Sequence, residues 1–157
     1  MRSSEDMTAK KIVACSIVTG VLFILFDMVI ALLTSPLFSP YADLPIWKTP
    51  PNILAGVMFD LINGFILVLV YITIYKGIPG LGWKKGLNYG IIVGLFRVVM
   101  SSFSSIVMYN FPLRVVTTSL ITGYLEIVIL CMILAVLYEK TIARTQSGSA
   151  RTIPFIT

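Results

Sequence analysis

The chain has 157 residues, 57% of them hydrophobic and 12% charged, with a formal net charge of +5. A soluble domain carries about 25% charged residues, so this composition, with a mean hydropathy of +0.95, argues against an ordinary globular fold and for an integral membrane protein. There is no histidine, which removes the usual haem ligands, most zinc sites and the commonest general base near neutral pH.

Four apolar segments follow in chain order, over about 12–33, 53–75, 87–108 and 115–138. Each is long enough to cross the hydrocarbon core as a helix. Lipid cannot satisfy free backbone polar groups, and period-2 alternation is absent, so helices are favoured over a barrel. The fold class expected is all-α: a four-transmembrane-helix bundle over 12–138, with an N-terminal tail 1–11 and a C-terminal tail 139–157. The first apolar segment is longer than a signal-peptide core and no A-x-A-like cleavage site follows it, so it is read as a retained span.

Between the first two segments lie Pro36, Pro40, Pro45, Pro50 and Pro51 together with Leu37, Phe38, Tyr41, Leu44, Ile46 and Trp47. Such a connection is stiff and too apolar for a solvated linker. A lid over a cavity and an ordered interfacial cap both remain open for it. Thr49 before Pro50 fits a helix cap with proline at the first helical position. Pro79, Gly80 and Gly82 mark the turn between spans two and three. Cys15 and Cys131 lie far apart inside apolar segments with no CxxC spacing, and are read as reduced packing residues.

Basic residues set the orientation. Arg2, Lys10, Lys11, Lys76, Lys84, Lys85, Lys140, Arg144 and Arg151 fall on the side shared by both termini, while only Lys48 and Arg114 fall on the other. That bias places both termini in the cytoplasm. Tyr75, Trp83, Tyr89 and Tyr138 at the inner boundary, and Tyr41, Trp47 and Tyr109 at the outer one, agree as interfacial anchors. The scattered basic residues form no aromatic-interleaved patch, so no nucleic-acid partner is expected.

Each span also holds one ionisable residue away from its ends: Asp27, Asp60, Arg97 and Glu126. A charge at the centre of a lipid-facing helix costs ~2.5 to 3.5 kcal/mol, so such groups normally face a bundle interior and a partner. At ~100° per residue the third span puts Gly86, Gly90, Gly94, Arg97, Ser101, Ser104 and Ser105 on one face. The second does the same with Gly56, Asp60, Asn63, Gly64, Leu67 and Tyr71. Ser16, Gly20, Asp27, Ala31 and Thr34 align in the first span, and Ser119, Thr122 and Glu126 in the fourth. The glycines at 56, 64, 86, 90 and 94 are read as helix contacts. Ser101, Ser104, Ser105, Ser119, Thr122 and Tyr71 are read as lining a cavity that opens outward.

Arg97 is expected between Glu126 and at least one aspartate, its planar fork serving two carboxylates. Three acids against one base leave two negative charges if all are ionised. A bound proton, a bound cation or water entering from outside must compensate. Asn63, one turn from Asp60, is placed to hydrogen-bond a protonated acid or a solute. The layout, with the Trp83-Lys84-Lys85-Gly86 turn opening a glycine-rich third span, is similar to that of short four-span prokaryotic proteins and implies a multi-pass protein of a prokaryotic cytoplasmic membrane.

Three functions stay open on these residues. The polar groups bind or translocate a small polar or cationic solute or a proton, or they lock helix packing in a structural or accessory subunit of a membrane complex. Intramembrane catalysis would use Asp60 and Glu126 as acid and base, but no activated nucleophile, metal motif or cofactor signature accompanies them. Besides the lipid bilayer, the partners considered are such a solute, a second copy in a homo-oligomer, and other membrane chains.

Overall fold

The computed structural model describes residues 2–41, 52–108 and 112–143, and the side chains of 9–40, 52–100 and 112–141. Within them the chain is helical, with no strand. Four long helices run in order: α1 Arg2–Phe38, α2 Ile53–Ile74, α3 Trp83–Met108 and α4 Leu113–Tyr138. Short 3-10 turns follow α1 at Ser39–Tyr41 and α2 at Tyr75–Gly77, and one π turn, Glu139–Ala143, extends α4.

Three stretches are long and apolar enough to cross a membrane: Ala9–Phe38, Ile53–Gly77 and Leu113–Thr141. Their outward faces are hydrocarbon; Leu32, Leu33, Ile53 and Leu54 are each more than 70% exposed. Apolar surface on that scale suits lipid rather than water. α3 has sufficient length at 26 residues, but its described side chains include Lys84, Lys85, Asn88 and Arg97.

The boundaries depart from the sequence reading at two places. α1 is continuous from Arg2, through the expected tail, and it carries Pro36 inside its last turn. Proline removes one backbone donor and disfavours helix in the residue before it, and so close to the end the loss is confined to one turn. The connection after α1 is therefore shorter than expected, and its segment 42–51, with the lid-or-cap alternative, lies outside the described residues. The second departure is the cap of α2. Asn52, not Thr49, occupies the N-cap, its Oδ1 accepting from the Ala55 N–H at 3.0 Å. Asn52 supplies the side-chain acceptor that the two prolines before it lack.

The helices associate as two tight pairs, α1 with α2 and α3 with α4, joined along α1 and α4. Small residues explain both pairings. At the α1–α2 crossing a Cβ on Gly64 would lie 2.5 Å from the Gly20 backbone. Along α3 the backbone of Gly86 meets Cys131 and Met132, Gly90 meets Val128, and Gly94 meets Tyr124. Residues rising along α3 thus face residues falling along α4, an antiparallel contact.

Burial is concentrated where the α2–α3 turn meets the end of α4. Val68, Tyr71, Tyr89, Leu130, Cys131 and Ala135 are fully buried there. The four tyrosines form one aromatic group around Tyr71, whose ring centroid lies 5.6 Å from Tyr75, 5.1 Å from Tyr89 and 5.4 Å from Tyr138. Tyr89 and Tyr138, expected as interfacial anchors, are core residues instead at 0% and 6% exposure. Cys15 and Cys131 are buried free thiols.

Glu139 ties this end together. Its Oε1 accepts the Gly82 N–H at 2.8 Å and the Tyr75 hydroxyl at 3.4 Å, while Gly82, at φ +56°, caps α3 through its carbonyl to the Lys85 N–H. A hydrogen bond to a charged group contributes about 1.5–3 kcal/mol when buried. For this partly exposed one, Glu139→Ala is expected to lower stability by about 1–2 kcal/mol, with Glu139→Gln, which keeps an acceptor oxygen, losing less than half as much in the same thermal melt.

Candidate functional site

The site begins at Glu126 on α4, 2% exposed, whose Oε1 has no hydrogen-bond partner. An unmatched polar atom that deep is rare, because leaving it unpaired forfeits its hydration without return. Its Oε2 lies 3.9 Å from Nη1 of Arg97 on α3. This is an ion pair beyond hydrogen-bond length. The Arg97 side chain is 43% exposed, and its guanidinium carbon stands 5.7 Å from the centroid of the Phe23 ring on α1.

Asp27 and Asp60 come from α1 and α2; Asp27 interacts electrostatically with Asp60 and Glu126, and Arg97 with Asp60 and Glu126, but the three carboxylates are not grouped closely enough to hold a metal ion. The two partners contributed by α1 and α2 owe their position to the Gly20–Gly64 crossing, since Asp27 and Asp60 lie one to two turns from it. Arg97 does not fork between two acids as expected. It pairs with Glu126 alone among the described residues, and no ion pair joins it to either aspartate. The 3.9 Å separation shows that the pair is not drawn into the bidentate geometry that would satisfy both groups.

Beside this group α2 and α3 stand apart, and a partly open cleft of about 830 Å³ separates them. Asn63 and Arg97 are the polar residues of its wall, and Phe59, Ile66, Val70, Ile92, Phe96 and Met100 are among the apolar ones. Tyr89 also lines it, donating its hydroxyl proton to the Leu67 carbonyl at 2.9 Å across the gap.

The other expected residues fall in several places. Gly64, Gly86, Gly90 and Gly94 sit at close helix contacts, but Gly56 does not: nothing lies within 4 Å of where its Cβ would be. Tyr71, expected on a cavity wall, is 0% exposed inside the tyrosine group, and its hydroxyl is buried without a partner. Thr122 donates to the Thr118 carbonyl of its own helix at 2.9 Å, the usual outlet for a hydroxyl within a helix, and Ser119 is exposed. Ser101, Ser104 and Ser105 belong to α3, and their side chains lie outside the described residues.

Two features escaped the sequence reading. Phe23 lies four residues before Asp27, on the same helical face, so its place against Arg97 was recoverable from spacing. Lys85 was not. It reads as a flanking basic residue, yet it is 7% exposed with Nζ 3.6 Å from the Tyr75 ring centroid. That distance is well inside cation–π range. Among the described residues no three or more histidine, cysteine, aspartate or glutamate side chains are grouped to hold a metal ion.

No protein-family model, curated protein or solved structure matches the chain.

Proposed function

We propose that the chain is a four-span membrane protein, α3 being the fourth span and both termini cytoplasmic, that binds or translocates a small polar or cationic solute at Asp27, Asp60, Arg97 and Glu126. The observation that carries this reading is the buried Glu126 carboxylate, with one oxygen unpartnered and the other only loosely paired. If all three carboxyls are ionised, Arg97 offsets one negative charge of three, and the remainder calls for a bound proton, a cation or a hydrogen-bonding solute. A cation or a hydrogen-bonding solute entering the group supplies what the protein leaves unfilled, and Asn63 stands at the adjoining cleft with an amide able to donate and accept.

The test is the thermal stability of the purified chain in detergent between about pH 4 and 9, with guanidinium, choline and alkali cations as probes. One probe is expected to raise the wild-type midpoint by roughly 3–5 °C at saturating concentration, with the rise lost in Glu126→Gln and Asp27→Asn. A flat response across the panel sinks the reading.

A second reading has its own support in the Arg97–Glu126 pair, which links α3 to α4. In it these charges only hold helix register in a structural or accessory subunit, alone or with further copies. Co-purification with other membrane chains and indifference to every probe are its expected signs.

A further inference from the structure

We infer that the turn between α2 and α3, together with Lys140 beside it, seats the headgroup of an anionic phospholipid. The site rests on the membrane-spanning part of the proposal above and is independent of any ligand at Glu126.

Depth places the turn. The apolar stretches Ile53–Gly77 and Leu113–Thr141 both end beside it, because Glu139 accepts the Gly82 N–H at 2.8 Å and the Tyr75 hydroxyl at 3.4 Å. Two hydrocarbon runs that stop at one loop put that loop where acyl chains give way to headgroups. Its tip is apolar: Leu81 is 78% exposed and Trp83 50%. Tryptophan favours this layer because its ring is apolar while its N–H can still donate a hydrogen bond.

The turn is also held in shape. Glu139 fixes Gly82 on one flank, and on the other the Asn88 amide donates to the Pro79 carbonyl at 3.0 Å. Between them Ile78 is buried at 7% exposure. With both flanks tied, the protruding side chains keep their spacing when a ligand arrives, which lowers the ordering cost of binding.

Charge selects the ligand. The turn and the start of the π turn after α4 carry Lys76, Lys84, Lys85 and Lys140 against one acid, Glu139. Lys85 is committed, its ammonium lying over the Tyr75 ring at 3.6 Å from the centroid. Lys76, Lys84 and Lys140 are exposed, and no ion pair engages them among the described residues. Lys84 stands 5.9 Å from the Trp83 ring centroid, near the outer limit of cation–π contact, so its ammonium is available to a phosphate. An acidic peptide would answer the lysines alone. An anionic phospholipid answers the lysines with its phosphate and Leu81 with its acyl chains, whereas a zwitterionic lipid brings an ammonium of its own into the same patch.

The experiment titrates the full chain, in a neutral detergent, with phosphatidylglycerol and with phosphatidylcholine of the same acyl chains, and reads bound lipid by native mass spectrometry. Wild type is expected to prefer phosphatidylglycerol by about 25-fold, roughly fivefold for each of two lysines at the phosphate. Lys76→Gln/Lys84→Gln is expected to bring the ratio below about threefold, with retained phosphatidylcholine binding as the sign that it is folded. The single variants, expected to lose about fivefold each, carry the test if the double variant does not fold. Lys84→Arg should keep the preference, and so should Arg114→Gln, in the first turn of α4 at the opposite end. Glycerol 3-phosphate in excess, a headgroup without chains, should not displace the lipid.

Equal binding of the two lipids by wild type overturns the inference, as does a preference that survives Lys76→Gln/Lys84→Gln. Displacement by glycerol 3-phosphate also overturns it, because the turn would then hold a soluble phosphate. A chain that stays monodisperse without detergent or lipid removes the membrane-spanning reading itself.

Discussion

Replacing Gly64 by alanine is expected to force α1 and α2 apart. The added Cβ would stand 2.5 Å from both Cα and N of Gly20 and 3.1 Å from the carbonyl carbon of Thr19. All three are backbone atoms, so no side chain can rotate to make room. The helix axes must separate, and the loss expected is about 1–3 kcal/mol, the usual cost of overpacking a close contact, rising further for Gly64→Leu. Gly86→Ala should behave alike, since its Cβ would collide with the Cys131 carbonyl oxygen and the Met132 Cα. Gly56→Ala is the matched control. With nothing within 4 Å of its Cβ position, it should be neutral or gain up to about 1 kcal/mol from helix propensity. Thermal or denaturant unfolding in detergent reads all three. Equal effects at positions 56 and 64 would mean that the Gly20–Gly64 crossing does not hold the pair.

Arg97 and Glu126 should be strongly non-additive. Arg97→Ala leaves a carboxylate that is 2% exposed without its only ion-pair partner among the described residues. Breaking a wholly buried pair costs about 3–5 kcal/mol. Here Arg97 is 43% exposed, so about 2 kcal/mol is expected on that scale. Glu126→Gln keeps the shape, removes the charge and should cost less. The double variant Arg97→Ala/Glu126→Gln should regain at least half of the Arg97→Ala loss, a coupling that a double-mutant cycle measures directly. Simple additivity of the two losses would show that the pair contributes nothing to helix register, and would leave the structural-subunit reading without its chief support.

Length and apolar periodicity were enough to locate the helices, because a membrane-crossing helix needs a continuous run of hydrocarbon that few other structures share. α2 begins at Ile53 and α4 ends at Tyr138, where the apolar runs begin and end. The ends defined by single side chains were harder. Nothing local distinguishes Thr49 from Asn52 as a cap until the helix is seen to start after both prolines. Pro36 was placed in the loop on its intrinsic preference, yet helix continued through it because the next residues remained apolar.

The polar residues divide in the same manner. Their scarcity in hydrocarbon, together with 3.6-residue periodicity, was enough to put Arg97 and Glu126 on facing sides of their helices. Distances between helices depend on crossing points that no single helix contains, so the lone 3.9 Å contact of Arg97 was not legible. Gly56 and Gly64 share a face and a residue type, but only Gly64 meets a neighbour. Lys85 and Tyr138 look like membrane-edge residues by position and become core residues because the α2–α3 turn folds over the end of α4.

The division into two helix pairs has a mechanical consequence. Asp27 and Asp60 belong to one hairpin, Arg97 and Glu126 to the other, and each hairpin is stiffened by its own glycine seam. The two meet along α1 and α4 and are stapled by the Tyr89–Leu67 hydrogen bond. The cleft between α2 and α3 has no glycine seam of its own, so widening it would break that hydrogen bond and no close glycine contact.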